Sequence, residues 1–164
     1  MARGPKHRES LTVMLADLDR FKAVNDQFGH AVGDRVLQIF ADTMSRALRA
    51  SDMSGRLGGE EFAFLMPRTN AVEARRIAER MRVQFAEAAR RVGGDAVNAT
   101  VSFGVATVAA PAQLSDLIAA ADGALYRAKA EGRNRVAAAD CAALATTLGA
   151  MGAIVVPIHA RNAA

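Results

Sequence analysis

The chain predicts an α+β fold: a central, mostly antiparallel sheet flanked by helices. Two observations carry this expectation. Gly58-Gly59 stands between two strand-like segments, a two-residue hairpin signal, because tight primed turns need positive φ and glycine supplies it without steric cost. Strand-length apolar runs also alternate with stripes of helical period, in the order β-α-α-β-β-α-β-α-β. That order mixes a hairpin with helices and does not fit a doubly wound parallel sheet. With 164 residues the chain reads as one domain, able to bury about two-thirds of its unfolded surface.

Each element has its own warrant. Residues 1–10 are charged and hold Gly4-Pro5, so they read as a flexible lead-in to a domain over residues 11–139. Residues 11–16 form an apolar run of strand length, as a buried central strand would. It ends on Asp17-Leu18-Asp19, with two carboxylates at the strand's carboxyl end, where ligands bind in open α/β sheets. Residues 21–28 read as a short helix closed by Gly29. Val32, Val36, Phe40, Met44 and Leu48 then mark one stripe of a helix over residues 31–49.

The hairpin follows, and its second strand Phe62-Ala63-Phe64-Leu65-Met66 ends at Pro67. Asn70-Ala71-Val72-Glu73 has the form of a capping box. Ala74, Ile77, Met81, Phe85 and Ala88 give the next helix its apolar face, leaving its arginines to water. Gly93-Gly94-Asp95 is a turn. From Thr100, Val101, Phe103 and Val105 alternate with Ser102, Gly104 and Ala106, the pattern of a half-buried strand. Leu114, Leu117, Ile118, Ala121, Leu125 and Ala128 mark another amphipathic helix, stopped by Gly132, and residues 135–138 form a short closing strand.

Composition narrows the function classes. Hydrophobic content of 51% and charged content of 23% are globular values, and the net charge of +4 suits a phosphate-bearing partner, although arginines scattered over helix faces give the same total. Nucleic acid is not expected: there is no Trp, one Tyr, and no basic-aromatic stacking pattern. A single cysteine, Cys141, excludes an internal disulfide and a cysteine-rich zinc site. The polar N-terminus lacks a signal-peptide core, so a cytoplasmic location is expected. Residues 140–164 form a C-terminal extension of unknown role. Its uncharged stretch, residues 141–158, is mostly Ala, Gly and Thr with a Pro, too weak to expect a membrane span.

The residues that carry chemistry converge on one place. Asp17 and Glu60 sit at the ends of strands that can be sheet neighbours. Carboxylates meeting there suit Mg2+, a hard cation that takes oxygen ligands and keeps substrate phosphates in its shell. Lys22 near a helix start adds a phosphate partner beside free backbone N–H groups. Two plainer readings stand beside these: solvated glutamates on an ordinary hairpin, and Asp17 and Asp19 as N-caps of the helix at Phe21.

Five strings, in order, then resemble one family. They are Asp17-Leu18-Asp19-Arg20-Phe21-Lys22-Ala23-Val24-Asn25-Asp26 with Gly29-His30 and Gly33-Asp34; Arg56-Leu57-Gly58-Gly59-Glu60-Glu61-Phe62; Thr100-Val101-Ser102-Phe103-Gly104-Val105-Ala106; Ala121-Asp122-Gly123-Ala124-Leu125-Tyr126-Arg127-Ala128-Lys129; and Gly132-Arg133-Asn134. Together they resemble the GGDEF-type diguanylate cyclases over residues 11–138. The resemblance implies a palm-like nucleotidyl cyclase fold and the joining of two GTP into cyclic di-GMP with release of two pyrophosphates. It also implies Mg2+ (Mn2+ as an alternative) on Asp17, Glu60 and the Leu18 carbonyl. Asn25 and Asp34 would read guanine, and His30 would line the pocket. Gly58 and Gly59 would admit the nucleotide, and Lys22, Lys129 and Arg133 would hold the triphosphate. Asp34 can accept from the guanine N1–H and N2–H2 donors, a pair that adenine lacks. Glu60 or Glu61 could take the proton of the attacking 3′-hydroxyl. One site binds one GTP, so turnover requires a two-fold homodimer.

Arg49-Ala50-Ser51-Asp52 matches the family's Arg-x-x-Asp inhibitory motif, with Arg80 where an assisting arginine stands. Arginine forks onto a phosphate or a guanine edge, and product inhibition by cyclic di-GMP is expected. A surface pair at a helix end is the plainer reading of Arg49 and Asp52. The family's Asp-x-Leu-Thr-x-Leu-x-Asn-Arg lead segment is not matched before Leu11. The chain is therefore expected to be part of a longer sensor protein whose regulatory domain is missing from these residues. The alternative function is a weakly active or inactive domain serving as a cyclic di-GMP receptor.

Overall fold

The computed structural model describes residues 10–109 and 113–141. The element order is the expected one: β1 (Ser10–Leu18), α1 (Phe21–Phe28), α2 (His30–Ala47), β2 (Met53–Gly58), β3 (Glu61–Pro67), α3 (Ala71–Ala88), β4 (Val101–Ala109), α4 (Leu114–Ala130) and β5 (Val136–Ala138). The strands form one sheet in the order β2-β3-β1-β4-β5. Every pairing is antiparallel except β4–β5, which is parallel.

Strand alternation assigns the two faces. Met14, Ala16 and Leu18 of β1 join Phe62, Phe64 and Met66 of β3 and Val101, Phe103 and Val105 of β4 under α1, α2 and α3. Phe40 of α2 is fully buried at the middle of this layer, edge-on to Phe62 (centroids 4.8 Å apart) and Phe85 (5.1 Å). On the opposite face, Val13 and Leu15 join Ala106 and Val108 under Leu117, Ala121 and Leu125 of α4, with Cys141 packed into the same cluster. Burial pushes the Cys141 thiol pKa up, against a partly opposing hydrogen bond from the Thr107 backbone.

The strand at Thr100 was expected to be half-buried, and β4 is instead buried on both faces. Gly104 is the reason. A Cβ there would stand 2.1 Å from the Ala121 carbonyl oxygen and 2.3 Å from the Leu125 nitrogen, so the missing side chain lets α4 lie directly on the strand.

Two apolar stripes also differ in detail. In α3 the buried position after Phe85 is Ala89, one full i+4 step on, and Ala88 faces water. In α4, Leu114 and Ile118 are exposed. With Met53 and Leu57 they border an open apolar groove of about 430 Å3 beside β2 and β3. No described helix is long and apolar enough to cross a membrane, and residues 142–158 lie outside the described residues.

Candidate functional site

The carboxyl end of β1 and the turn between β2 and β3 meet at one edge of the sheet. The β1–β3 register sets Asp17 opposite Glu61, and the Leu18 N–H donates to the Glu60 carbonyl oxygen (3.2 Å). The hairpin turn is shifted by one residue from the expected Gly58-Gly59. Gly58 pairs with Glu61, leaving Gly59 and Glu60 as the two loop residues, after an irregularity between Arg56 and Gly58. Only Gly59 has positive φ (+51°), which is the demand of a II′-type rather than a I′-type loop. A Cβ at Gly58 or Gly59 would meet no atom within 4 Å, so open space flanks the turn. Arg56 braces it from behind: its Nε donates to the Gly59 carbonyl (2.7 Å).

Lys129, in the last turn of α4, reaches this edge. Its ammonium lies 2.8 Å from Asp17 Oδ2 while the Asp17 side chain is only 11% exposed. A cation already sits against the inner carboxylate, and the neighbouring groups are carboxylates and a main-chain carbonyl. That all-oxygen donor set with a cation stand-in fits a hard divalent ion. Among the described residues no group of three or more His, Cys, Asp and Glu side chains is gathered as a metal cluster. The fit therefore rests on two acids plus backbone oxygen.

The α1–α2 corner supplies the next group. Asn25 lies over Gly33 so closely that a Cβ there would stand 1.9 Å from Asn25 Oδ1, so glycine at 33 is what lets the two helices and the Asn25 amide meet. Asp34 follows Gly33 and is exposed, at the mouth of a cleft of about 350 Å3 that runs between α2 and β2 to Arg56 and Phe62. Lys22 and His30 are exposed near the starts of α1 and α2. Arg133 follows Gly132 in a Schellman-type turn, its N–H donating to Ala128 O (3.0 Å) as α4 ends.

Asp19 does not cap α1. The N-cap residue is Arg20, in left-handed conformation (φ 54°) with no side-chain cap bond. The Asp19 carboxylate turns instead to Thr100 Oγ1 (2.7 Å), Ser102 Oγ (2.7 Å) and the Asn134 N–H (3.0 Å). Sequence reading missed this role, and also that of Arg56. The available signals were the second acid of Asp17-Leu18-Asp19 and the Thr100 and Ser102 hydroxyls.

Arg49 and Asp52 come together at the connection from α2 to β2. The Arg49 N–H donates to Asp52 Oδ2 (2.8 Å), and the Asp52 N–H donates to the Arg49 carbonyl (3.0 Å). The Arg49 guanidinium, 55% exposed, pairs with Glu73. Asp52 Oδ1 is shielded from solvent and receives no hydrogen bond. Arg80 reaches across from α3 to the Ala47 carbonyl (3.2 Å), beside this turn. It also lines a cleft of about 620 Å3 together with Arg46.

A five-stranded, mostly antiparallel sheet with acids and a lysine gathered at one edge defines a palm-like α+β domain of the nucleotidyl cyclase kind. The family model described as "Diguanylate cyclase, GGDEF domain" matches residues 1–135, and the chain belongs to this GGDEF family. It is 41% identical over 131 residues to the response regulator PleD of Caulobacter vibrioides, covering 78% of this chain and 29% of that protein. It is 43% identical over 131 residues to the diguanylate cyclase DgcM of Escherichia coli K12, covering 80% of this chain and 31% of that protein. Among solved structures, the active GGEEF domain of a diguanylate cyclase from Vibrio cholerae superposes with a TM-score of 0.74 at 34% identity, covering 81% of this chain and 85% of that one. The GGDEF domain of DgcB from Caulobacter crescentus in complex with c-di-GMP gives 0.73 at 32% identity, covering 79% and 78%. The chain thus spans about a third or less of the curated relatives just named.

Proposed function

We propose that this domain is a diguanylate cyclase, condensing two GTP into cyclic di-GMP with release of two pyrophosphates. The observation that carries the reading is the end of β1, where register sets Asp17 opposite Glu61, the Leu18 N–H ties down Glu60, and Lys129 is held against Asp17. Asp17, Glu60 and the Leu18 carbonyl would hold Mg2+ or Mn2+. When bound, that ion supplies electrophilic activation of the α-phosphate and a lower pKa for the attacking 3′-hydroxyl.

The chain's own residues have the remaining tasks. Lys22, Lys129 and Arg133 hold the triphosphate. To do so Lys129 leaves Asp17, a change that neutralisation of the carboxylate by another cation would favour. Asn25 and Asp34 read the guanine edge, His30 lines the pocket, and the Gly58-Gly59 turn leaves room for the nucleotide backbone. Glu60 or Glu61 accepts the 3′-hydroxyl proton as oxygen attacks the α-phosphorus. The bond to the β-phosphate breaks and pyrophosphate leaves. Each subunit presents one GTP, so both phosphodiester bonds form only when two copies meet face to face in a homodimer. In this reading the enzyme works in the cytoplasm, under a regulatory domain that belongs to a longer protein.

Arg49 and Asp52, assisted by Arg80, form a second site that takes the product and inhibits turnover. The shielded, unbonded Asp52 Oδ1 is suited to a guanine donor, and the Arg49 fork to a phosphate. Incubation with GTP and Mg2+ at high protein concentration, followed by nucleotide chromatography, is expected to yield cyclic di-GMP and pyrophosphate. Cyclic di-GMP binding with no product at any protein concentration would favour a receptor role instead.

A further inference from the structure

Asp17 and Asp19 stand two residues apart and have opposite surroundings. Asp17 faces the Lys129 ammonium at the open edge. Asp19 is buried, 7% exposed, and no described cationic side chain pairs with it. A carboxylate removed from water without a counter-charge is costly unless donors replace the water. Three do so: Ser102 Oγ on Oδ1, and Thr100 Oγ1 with the Asn134 N–H on Oδ2. The main chain adds a fourth tie, because the Asp19 N–H donates to the Thr100 carbonyl (2.8 Å).

These bonds join three segments that are far apart in sequence: the end of β1, the start of β4, and the turn after α4. In that turn Arg133 and Asn134 are both left-handed (φ 63° and 46°), a conformation that non-glycine residues adopt at a cost and keep only when the surroundings fix it. Two contacts fix it from outside the turn: Asp19 accepts from the Asn134 N–H, and Arg82 of α3 donates through Nη1 to Asn134 Oδ1 (2.8 Å), so Asp19 is the one that ties the turn's main chain to β1. Asp19, Thr100 and Asn134 line a cleft of about 370 Å3 together with Arg20 and Arg133.

We propose that Asp19 is a positioning residue: it holds the Arg133–Asn134 turn in register with the Asp17-Leu18 end of β1, so that Arg133 is aimed at the nucleotide phosphates. This rests on the cyclase reading given above. Asp19 touches no substrate in this role and acts through Arg133.

The test is calorimetric binding of a non-hydrolysable GTP analogue with Mg2+, which needs no turnover. Asp19→Ala is expected to weaken binding at least tenfold, and Asp19→Asn, which keeps an oxygen for Thr100 and Asn134, to stay within about threefold of wild type. In an Arg133→Ala background, Asp19→Ala should add less than a twofold loss, since its effect passes through the residue already removed. Should Asp19→Ala fail to fold, Thr100→Val removes one donor from the same oxygen. It should weaken binding two- to fivefold in the wild type and have no effect beside Arg133→Ala. Equal losses with and without Arg133 would overturn the proposal. So would unchanged binding in an Asp19→Ala protein that merely melts earlier. If the wild type does not bind the analogue, the cyclase reading itself fails, an outcome distinct from either.

Discussion

The acid edge and the Arg49 turn, the two regions to which nucleotide binding is assigned, are built in opposite ways. At the carboxyl end of β1, strand register fixes the backbone of every acid. Asp17 lies opposite Glu61, Leu18 is tied to Glu60, and Asp19 is locked by three donors. At the α2–β2 connection, Arg49 and Asp52 are held by a short turn and by one largely exposed ion pair to Glu73. An edge fixed by a sheet can hold charged groups in one geometry through a reaction, with little reorganisation. A short turn whose arginine is exposed and whose aspartate is half-buried can open onto a ligand at small cost. Catalysis needs the first kind of site, and reversible inhibition is served by the second.

The sharpest way to break the contrast is to remove one charge from the rigid edge. Glu60→Gln keeps the shape of the turn residue, and its backbone carbonyl still accepts from Leu18. Cyclic di-GMP formation is expected to fall about 10³-fold or more, as when a preorganised charge is deleted from a reacting centre. The thermal midpoint should stay within a degree or two, because Glu60 is a partly exposed turn residue. Normal turnover by this variant would remove Glu60 from the reaction.

The rigidity itself can be attacked from a distance. Gly104→Val places side-chain atoms where the Ala121 carbonyl and the Leu125 nitrogen already are. Neither is a side chain that can swing aside, so α4 has to lift from β4. A loss of roughly 3 kcal/mol or more is expected, at the upper end of overpacking costs. Because Lys129 and Arg133 ride on the end of α4, any folded fraction should also bind GTP more weakly. Denaturant unfolding and analogue binding on the same sample check both parts. A variant as stable as wild type would show that α4 is not seated as described.

Much of this was legible in the chain because its signals are local. Helical stripes, the Asn70 cap and the Gly-Gly turn each need only neighbouring residues, and all nine described elements follow in the expected order. What escaped depends on distant partners. Gly104 reads as a polar-face position of a half-buried strand until α4 is known to lie on it. Asp19 reads as a helix cap because its donors, Thr100, Ser102 and Asn134, are some 80 to 115 residues away. The one-residue shift of the hairpin loop arises at the irregularity beside Arg56, which pairing rather than composition decides. Leu114 and Ile118 fit the helical period but border an open groove over β2 and β3 that no described element fills.

The softer site predicts a smaller and separable effect. Arg49→Ala deletes a guanidinium that is 55% exposed and whose only side-chain partner among the described residues is Glu73. Exposed pairs of this kind contribute at most about 1 kcal/mol, so the fold should be nearly indifferent to the loss. The Arg49 main chain still donates to Asp52, and the turn is expected to persist. What disappears is the fork that would grip a phosphate or a guanine edge, an interaction to a charged group of roughly 1.5–3 kcal/mol. The inhibition constant for added cyclic di-GMP, measured against the variant's own uninhibited rate, should therefore rise by about ten- to a hundredfold. Equal inhibition of Arg49→Ala and wild type would return Arg49 and Asp52 to an ordinary surface turn. The rigid edge would then have to account for any product inhibition through direct competition with GTP.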